Sequence, residues 1–318
     1  MVLPPITSLE LEDAMSLFNF LVSKTIMHVP GPIVGFFAKG YIAGDDLSAA
    51  VRTTKELNGK GMVATIDILG EFIKTKEEAN FFKQQCLDIL NGIDKEGLDA
   101  NLSLKPTQLG LELDKTFAFE NIREIVALAA SLNNFVRIDM EDHSCTDDTL
   151  EFFRTLREEF PGHVGVVVQS YLRRTIDDIE DLSDGLLNFR LCKGIYNEPR
   201  EVAYKDMAII NRSFVKCLEK MFEKKAYVGI ATHDEKLVFE SEQLIREFGL
   251  KREEYEFQML LGVDPELRDL LVKRGHKLRI YVPYGKSWLP YSRRRLKENP
   301  SIAQHALRQM LGMKSKSV

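Results

Sequence analysis

The sequence predicts an α/β protein of the (β/α)8 class, a closed TIM-type barrel with an N-terminal helical extension. Two observations predict it: short runs rich in β-branched residues recur along the chain, and each is followed by a longer stretch with helical periodicity. Eight strands that alternate with helices are typical of a closed parallel barrel and not of an open sheet. The sequence contains no internal repeat, low-complexity stretch or linker rich in Pro, Gly and Ser that would divide it.

The elements follow one another in the order that a barrel requires. The predicted strands are Met62–Ile68, Asn101–Lys105, Phe135–Asp139, Val164–Gln169, Asn188–Cys192, Tyr227–Thr232, Glu256–Leu261 and Leu278–Val282. The predicted helices between them are Glu77–Leu90, Asn121–Leu132, Asp147–Glu159, Val202–Glu223 and Glu235–Phe248. The helices predicted before the first strand are Leu9–Val22, Ile33–Lys39 and Leu47–Leu57. We therefore assign residues 1–58 to the helical extension and residues 59–318 to the barrel, as a single domain overall.

Composition and charge exclude several classes of protein. The chain has 318 residues, 44% of them hydrophobic, which is enough for a sizeable core, and its formal net charge of -5 gives no sign of a nucleic-acid partner. The four cysteines are widely spaced with no CxxC pair, as is typical of free thiols in a reducing cytosol. The N-terminus lacks the features of a signal peptide, and no apolar run approaches the ~20 residues of a membrane span. A cytoplasmic protein is expected, and peripheral contact with a membrane stays open.

Residues that ionise or form strong hydrogen bonds stand at the carboxyl ends of the predicted strands, where such barrels place their reactive groups. They are Asp67, Lys105, Asp139, Gln169, Arg190, Lys193, Thr232, His233, Asp234, Gln258 and Tyr281. The cations in this set, together with Arg137, outnumber the two carboxylates counted with them, Asp67 and Asp139. The sequence therefore predicts a net cationic mouth that binds an anionic ligand. The alternative is that these residues only pair with one another inside the barrel.

A second concentration of charge follows the eighth predicted strand, in a helix that begins near Pro290, a residue suited to the first helical position. Arg294 and Arg295 lie three and four residues after Tyr291. Glu298 lies seven residues after Tyr291, so all four side chains share one helical face. Two adjacent guanidinium groups can bind one carboxylate through bidentate hydrogen bonds, and Glu298 can hold Arg294 in place. The alternative is a solvent-exposed helix with one i,i+4 ion pair.

Eight sequence segments resemble those of one known family and occur in its order. They are LSLKPTQLGL, RIDMED, VVVQSYLRR, RLCKGIY, ATHD, EFQMLLG, RIYVPYG and YSRRRLKEN, the last fitting a Y-x-x-R-R-x-x-E pattern at every fixed position. From about Ala64 to Pro300 the chain resembles proline dehydrogenase, a monofunctional family of FAD-dependent barrel enzymes. The resemblance implies oxidation of L-proline to Δ1-pyrroline-5-carboxylate, the first step of proline degradation to glutamate. It also implies transfer of electrons to a quinone-type acceptor, by peripheral contact with a membrane.

The resemblance assigns roles position by position. It places Asp139 and Arg190 in the catalytic centre, with Arg190 near the flavin ring. The residues that it implies for the substrate are Lys105, Tyr196, Leu260, Tyr281, Arg294 and Arg295. We add Tyr291 to this set as a residue that selects which ring fits. The residues that it implies for FAD are Met140, Gln169, Arg190, Lys193, Gly194, Ile195, Thr232 and His233.

No nucleotide-binding fingerprint marks the cofactor. The Gly-Lys-Gly at 59–61 precedes a predicted strand instead of following one, so it is not a Rossmann turn. The FAD that the resemblance implies must therefore be held by the loops of the barrel.

Two other functions compete with this one. A Schiff-base aldolase would use Lys105 or Lys193 as its amine, but phosphate sites in such barrels often use glycine-rich loops after strands seven and eight. Here those loops contain LGVDPE and VPYGKS, which are poor in glycine. The other competitor is a barrel that binds an amino acid without turning it over.

Three remaining residues are given lesser roles. His143 follows two acidic residues, but no second histidine stands at ligand spacing, so no metal site is predicted. His233 is expected as a hydrogen-bonded anchor beside the flavin, and a general base is the alternative. Cys192 has no neighbouring base in the sequence and is expected as a small buried filler.

Overall fold

The computed structural model describes residues 29–31, 34–35, 40–70, 73–289 and 291–293. Its strands are β1 (Val63–Ile68), β2 (Ala100–Leu104), β3 (Val136–Ile138), β4 (Val164–Gln169), β5 (Asn188–Cys192), β6 (Tyr227–Ala231), β7 (Tyr255–Leu260) and β8 (Leu278–Tyr284). Neighbouring strands are parallel and follow chain order, and β8 returns to pair with β1, so the sheet closes. The predicted barrel is confirmed.

Helices follow the strands and cover the outside of the barrel. They are α1 (Leu47–Asn58), α2 (Lys76–Lys95), α3 (Lys115–Ser131), α4 (Thr146–Glu159), α5 (Thr175–Asp181), α6 (Met207–Glu223), α7 (Glu235–Glu247) and α8 (Pro265–Lys273). Short 3-10 turns at Thr107–Leu109 and His143–Cys145 follow β2 and β3. Among the helices of the described ranges, none is both long enough and apolar enough to cross a bilayer.

Each predicted strand overlaps an observed one, with ends that differ by at most two residues. The helix predicted from Val202 is wrong at its start, because the observed helix begins at Met207. The Asp206 side chain caps it by accepting hydrogen bonds from two backbone N–H groups of the first turn. The short helices α5 and α8 were not expected from the periodicity of the sequence.

The predicted N-terminal extension is described only in part. Its third helix is confirmed as α1, whose N-cap Asp46 accepts a hydrogen bond from Ala49 N at 2.9 Å. The predicted helix Leu9–Val22 lies outside the described residues, and of Ile33–Lys39 only residues 34–35 are described, both helical. The division of the chain at residue 58 stays a prediction.

Side chains that point outward from the strands form the core between barrel and helices. Because successive strand residues face opposite sides, every second residue packs against the helical layer. Ile66, Leu102, Val166 and Phe257 occupy such positions and are fully buried in one continuous apolar cluster. This layer holds the strands in place and leaves the opposite face of each strand for the barrel interior.

The barrel interior is polar and charged, whereas branched apolar residues fill many barrels of this class. Near its amino-terminal end, Arg279 Nε and Nη2 donate to the two carboxylate oxygens of Glu256 at 2.6 and 3.0 Å, and Tyr227 OH donates at 2.8 Å. Burial would raise the pKa of Glu256, but Arg279 outweighs it and lowers the pKa to about 2. The interior is therefore filled by paired ions that join different strands.

Glycine makes room for the long side chains that cross this interior. Arg137 Nη1 donates to the backbone oxygen of Asn188 at 2.7 Å and so passes over Gly165 on β4. A Cβ at Gly165 would collide with that guanidinium and would lie 2.6 Å from the Asn188 oxygen. The observed position of the Arg137 guanidinium therefore requires glycine at residue 165.

We predict that Gly165→Ala destabilises the fold by about 1–3 kcal/mol, because the added methyl group overpacks the barrel against fixed backbone. The free energy of unfolding in urea measures this. Gly59→Ala is the matched control, because Gly59 has φ -60 and a Cβ there would meet only ordinary contacts of 3.4 Å or more. A stability loss of the same size in both variants would contradict the steric argument.

Candidate active site

Asp139 is the centre of a hydrogen-bonded cluster at the carboxyl end of the barrel. Its Oδ1 accepts from Arg190 Nη1 at 2.7 Å and from Ser103 Oγ at 2.6 Å. Its Oδ2 accepts from Tyr281 OH at 2.9 Å and from Lys105 Nζ at 3.2 Å. The four partners come from β2 or its end, from β5 and from β8, so one carboxylate at the end of β3 holds these strands in a common arrangement.

Lys105 joins this cluster to a second carboxylate. Its Nζ donates to Asp67 Oδ1 at 2.8 Å and approaches Tyr281 OH at 3.2 Å. Burial alone would lower the pKa of Lys105, but Asp67 and the other neighbouring anions raise it well above its usual range. Burial would likewise raise the pKa of Asp139, but Lys105 and Arg190 hold it below its usual value. Lys105 is therefore an ammonium and Asp139 a carboxylate.

Hydrogen bonds fix two of the three guanidinium nitrogens of Arg190. Nη1 bonds Asp139, and Nε donates to Gln258 Oε1 at 2.5 Å. Nη2 is buried and has no hydrogen-bond partner among the described residues. The cation also lies 5.3 Å from the centre of the Tyr281 ring. A buried donor without a partner, on a residue that lines a cavity, points to a ligand that would accept from it.

A cavity of about 510 Å³ opens directly above this cluster. That volume is within the range of small-molecule and cofactor sites, roughly 300–1,000 Å³. The residues lining it are Lys105, Asp139, Met140, Val167, Gln169, Arg190, Cys192, Lys193, Gly194, Ile195, Tyr196, Met207, Ala231, Thr232, His233, Asp234, Gln258, Met259, Leu260, Tyr281 and Tyr291. Every described residue that the resemblance assigned to the catalytic centre, the substrate or the FAD lines this one cavity, as does Tyr291, whereas Asp67 and Arg137 do not. Arg294 and Arg295 lie outside the described residues.

Some cavity residues were missed by the sequence analysis. Val167 lies two residues before Gln169 on β4, and Ala231 lies two residues after Gly229 on β6, so strand alternation could have identified both as inward-facing. Met207 begins α6 and lines the cavity from the side, and no signal in the sequence marks it. These residues make part of the wall apolar.

The net positive charge of the mouth is smaller among the described residues than the count from the sequence implies. Lys193 Nζ forms an ion pair with Asp234 at 2.7 Å, and the count from the sequence left that carboxylate out. Arg137 lies deeper, against backbone oxygens, and does not line the cavity. The cavity is lined by the cations Lys105, Arg190 and Lys193 and by the carboxylates Asp139 and Asp234, while Asp67 pairs with Lys105 from outside the lining. Because each lining cation already contacts a carboxylate, a ligand anion would compete with that carboxylate for it.

The two histidines considered in the sequence have different surroundings. His233 Nε2 accepts a hydrogen bond from Leu260 N at 2.9 Å, which places the ring proton of the neutral form on Nδ1 and favours an anchor over a general base. His143 Nδ1 bonds Glu198 Oε2 at 2.5 Å, while the adjacent Glu141 accepts from Thr107. Within the described ranges, no group of three or more His, Cys, Asp or Glu side chains is arranged to hold a metal ion.

A comparison with known protein families identifies the chain. The sequence model of the family described as Proline dehydrogenase matches residues 50–308, a range that includes all eight strands. The chain belongs to the proline dehydrogenase family. That family is flavin-dependent and consists of oxidoreductases that act on CH–NH donors.

Individual relatives agree with this assignment. Proline dehydrogenase 1 of Bacillus subtilis subsp. natto is 38% identical over 274 residues, which cover 86% of this chain and 90% of the relative. Proline dehydrogenase of Deinococcus radiodurans is 34% identical over 278 residues, with the same two shares. A crystal structure of proline utilization A (PutA) from Bdellovibrio bacteriovorus, inactivated by N-propargylglycine, matches with a TM-score of 0.79 and 24% identity. The match covers 88% of this chain but 34% of the PutA chain, and it shows the fold alone.

The cavity fits a flavin. Arg190 Nη2 and Gln169 Oε1 are a buried donor and a buried acceptor, both without a partner among the described residues, as a ring system with both kinds of group requires. Gly194 has φ +101, and a Cβ there would lie 2.7 Å from Tyr171 Cγ. Glycine therefore lets the loop after β5 run along the cavity wall where another residue would be strained.

We predict that Asp139→Asn lowers the free energy of unfolding by about 3–5 kcal/mol, because two buried cations lose their common anion. Denaturation in urea measures this loss. Asp234→Asn is the matched control, since Asp234 also pairs with a lysine but its side chain is 27% exposed. We expect it to cost less than about 1 kcal/mol. Equal losses in the two variants would contradict the central role of Asp139.

Proposed function

We propose that this protein oxidises L-proline to Δ1-pyrroline-5-carboxylate, the first step of proline degradation to glutamate, with FAD as its cofactor. The observation that carries the proposal is the joining of Lys105, Asp139, Arg190 and Tyr281 in one cluster beneath one cavity. Membership of the proline dehydrogenase family supports the substrate and the reaction. Electrons would pass on to a quinone-type acceptor, reached by peripheral contact of a cytoplasmic protein with a membrane.

The cofactor would be held by the strand ends and loops on one side of the cavity. The residues proposed for it are Met140, Gln169, Arg190, Lys193, Gly194, Ile195, Thr232 and His233. When bound, FAD supplies an acceptor for the hydride that leaves the substrate. The Arg190 guanidinium contributes positive charge at that edge of the cavity, where it stabilises negative charge that develops in the reaction.

Proline would be held by the remaining cavity residues. Those proposed for it are Lys105, Tyr196, Leu260, Tyr281 and Tyr291, with Arg294 and Arg295 taking the carboxylate. Tyr291 lines the cavity and residues 291–293 are helical, which supports a place for the two arginines that follow in the sequence near the mouth. The charge balance of the described residues supports this role, because the cations already at the mouth have carboxylate partners of their own.

The reaction requires the substrate nitrogen to lose its proton. Hydride leaves the ring carbon beside nitrogen while the nitrogen lone pair forms the C=N bond, so a protonated amine cannot react. Asp139 has a lowered pKa, and Lys105 and Tyr281 have raised ones, so none of the three can accept a proton readily near neutral pH. Their task is to orient the substrate, and the proton must leave toward solvent before hydride transfer.

The same geometry opposes the Schiff-base alternative. An amine that attacks a carbonyl must be unprotonated, and lysines with that role have a lowered pKa. Lys105 instead has a raised pKa and contacts two carboxylates. Lys193 is likewise paired, with Asp234.

The decisive experiment is an anaerobic titration of the purified protein with L-proline and, in parallel, hydroxyproline, followed by flavin absorbance. We expect L-proline to bleach the flavin, and kcat/KM to rise from mildly acidic to alkaline pH as the amine deprotonates. A protein that binds no flavin, or a flavin that proline leaves oxidised, would overturn the proposed function. A flat pH profile would contradict the requirement for a free amine.

We further predict that Arg295→Lys raises KM for proline by about tenfold or more, because a point charge replaces a bidentate fork. Steady-state kinetics with thermal unfolding measures this and separates binding from folding. Arg293→Lys is the control, because Arg293 Nη2 donates to Val29 O at 2.9 Å and Arg293 does not line the cavity. A normal KM in Arg295→Lys would remove that residue from the proposed carboxylate site.

A further inference from the structure

We propose that Gln258 is a positioning residue that fixes the Arg190 guanidinium in the cavity, and that Glu256 sets the orientation in which it does so. The proposal rests on the proposed function in one respect, namely that Arg190 faces the cofactor. Its structural basis is a chain of hydrogen bonds that runs from the cavity down the barrel interior to Arg279 near the amino-terminal ends of the strands.

Gln258 is buried and bonds a charged group on each side. Its Oε1 accepts from Arg190 Nε at 2.5 Å, and its Nε2 donates to Glu256 Oε1 at 2.7 Å. If the amide were turned over, its NH2 would face the Arg190 N–H, and its oxygen would face the Glu256 carboxylate. Both contacts would be repulsive, so the two neighbours leave the amide a single orientation.

Glu256 is itself fixed. Its two oxygens accept from Arg279 and Tyr227 as well as from Gln258, and its low pKa keeps it a carboxylate. The position of Gln258 is therefore imposed from below, by groups that do not line the cavity. The strands also provide the room, because Gly229 stands opposite and a Cβ there would lie 2.8 Å from Gln258 Cδ.

The consequence concerns the direction of Arg190 Nη2. A planar guanidinium held only at Nη1, by Asp139 and Ser103, could pivot about that point. A second hydrogen bond at Nε removes the pivot, so the plane of the guanidinium and the direction of Nη2 are fixed. Because a fixed cation beside the cofactor favours the reduced state, loss of the second bond should make the bound flavin harder to reduce.

The test is the midpoint potential of the bound flavin in Gln258→Met, measured by equilibration with a redox dye. We expect a tenfold shift of the reduction equilibrium toward the oxidised state, about 30 mV for a two-electron couple. In turnover with proline, kcat should fall about tenfold while KM changes by less than about threefold. A potential within a few millivolts of the wild type would overturn the proposal.

Asn188→Leu is the matched control, because it removes a side-chain partner of Arg137 inside the same barrel without touching Gln258. We expect it to lower the unfolding temperature while leaving the midpoint potential unchanged. An equal shift of potential in both variants would show that any disturbance of the interior suffices, and it would overturn the proposal.

Glu256→Gln tests whether the carboxylate acts through its charge or through the orientation of Gln258, because the two roles predict opposite shifts of the flavin potential. Removing a negative charge should raise the flavin potential if charge alone matters, whereas loss of the fixed amide orientation should lower it. A lower potential supports the proposal, and a raised or unchanged one overturns the part assigned to Glu256. If this variant does not fold, Gln258→Met decides alone. Because a dye equilibrium needs no substrate, a negative result here is distinct from a failure of proline to reduce the flavin.

Discussion

The pairing of charges inside the barrel is the constraint on which the rest of the structure depends. An ion removed from water is costly unless a partner of opposite charge or several hydrogen bonds replace its hydration. The interior pairs are Lys105 with Asp67 and Asp139, Arg190 with Asp139, and Arg279 with Glu256. Because every pair joins two strands, the charges fix the strands relative to one another as the apolar layer does outside. Asp139 has the largest share of this task, because it pairs with both Lys105 and Arg190.

The same constraint explains why small residues stand where a barrel would usually carry branched ones. Gly165 pairs in register with Arg137, and Gly229 pairs with both Arg190 and Glu256. A glycine inside a strand weakens that strand when taken alone. In a closed sheet both neighbours hold it by hydrogen bonds, and the vacated space lets a long polar side chain reach its partner across the barrel. The charge pairs inside the barrel therefore depend on the glycines in its strands.

The fold and most of the cavity were predictable because each depends on local pattern. Alternation located the strands, and parallel strands bring their carboxyl ends to one rim, so Lys105, Asp139 and Tyr281 had to meet. Which side chains pair with one another could not be predicted in this way. Asp234 neutralises Lys193 because α7 begins there, and the orientation of Gln258 follows from contacts across three strands. These depend on side-chain geometry that periodicity does not contain.

Charge balance also bears on the segment after residue 293. The reactive form of proline has a neutral amine and a carboxylate, so it brings one negative charge into a cavity whose described cations already have carboxylate partners. In the proposed clamp, Glu298 offsets Arg294, and Arg295 then leaves one positive charge to meet the substrate. A zwitterionic proline would add no net charge. Its carboxylate would gain the same attraction from Arg295, but its ammonium would be repelled by the cations Arg190 and Lys105. The site is therefore expected to favour the deprotonated amine electrostatically, which is the form that hydride transfer requires.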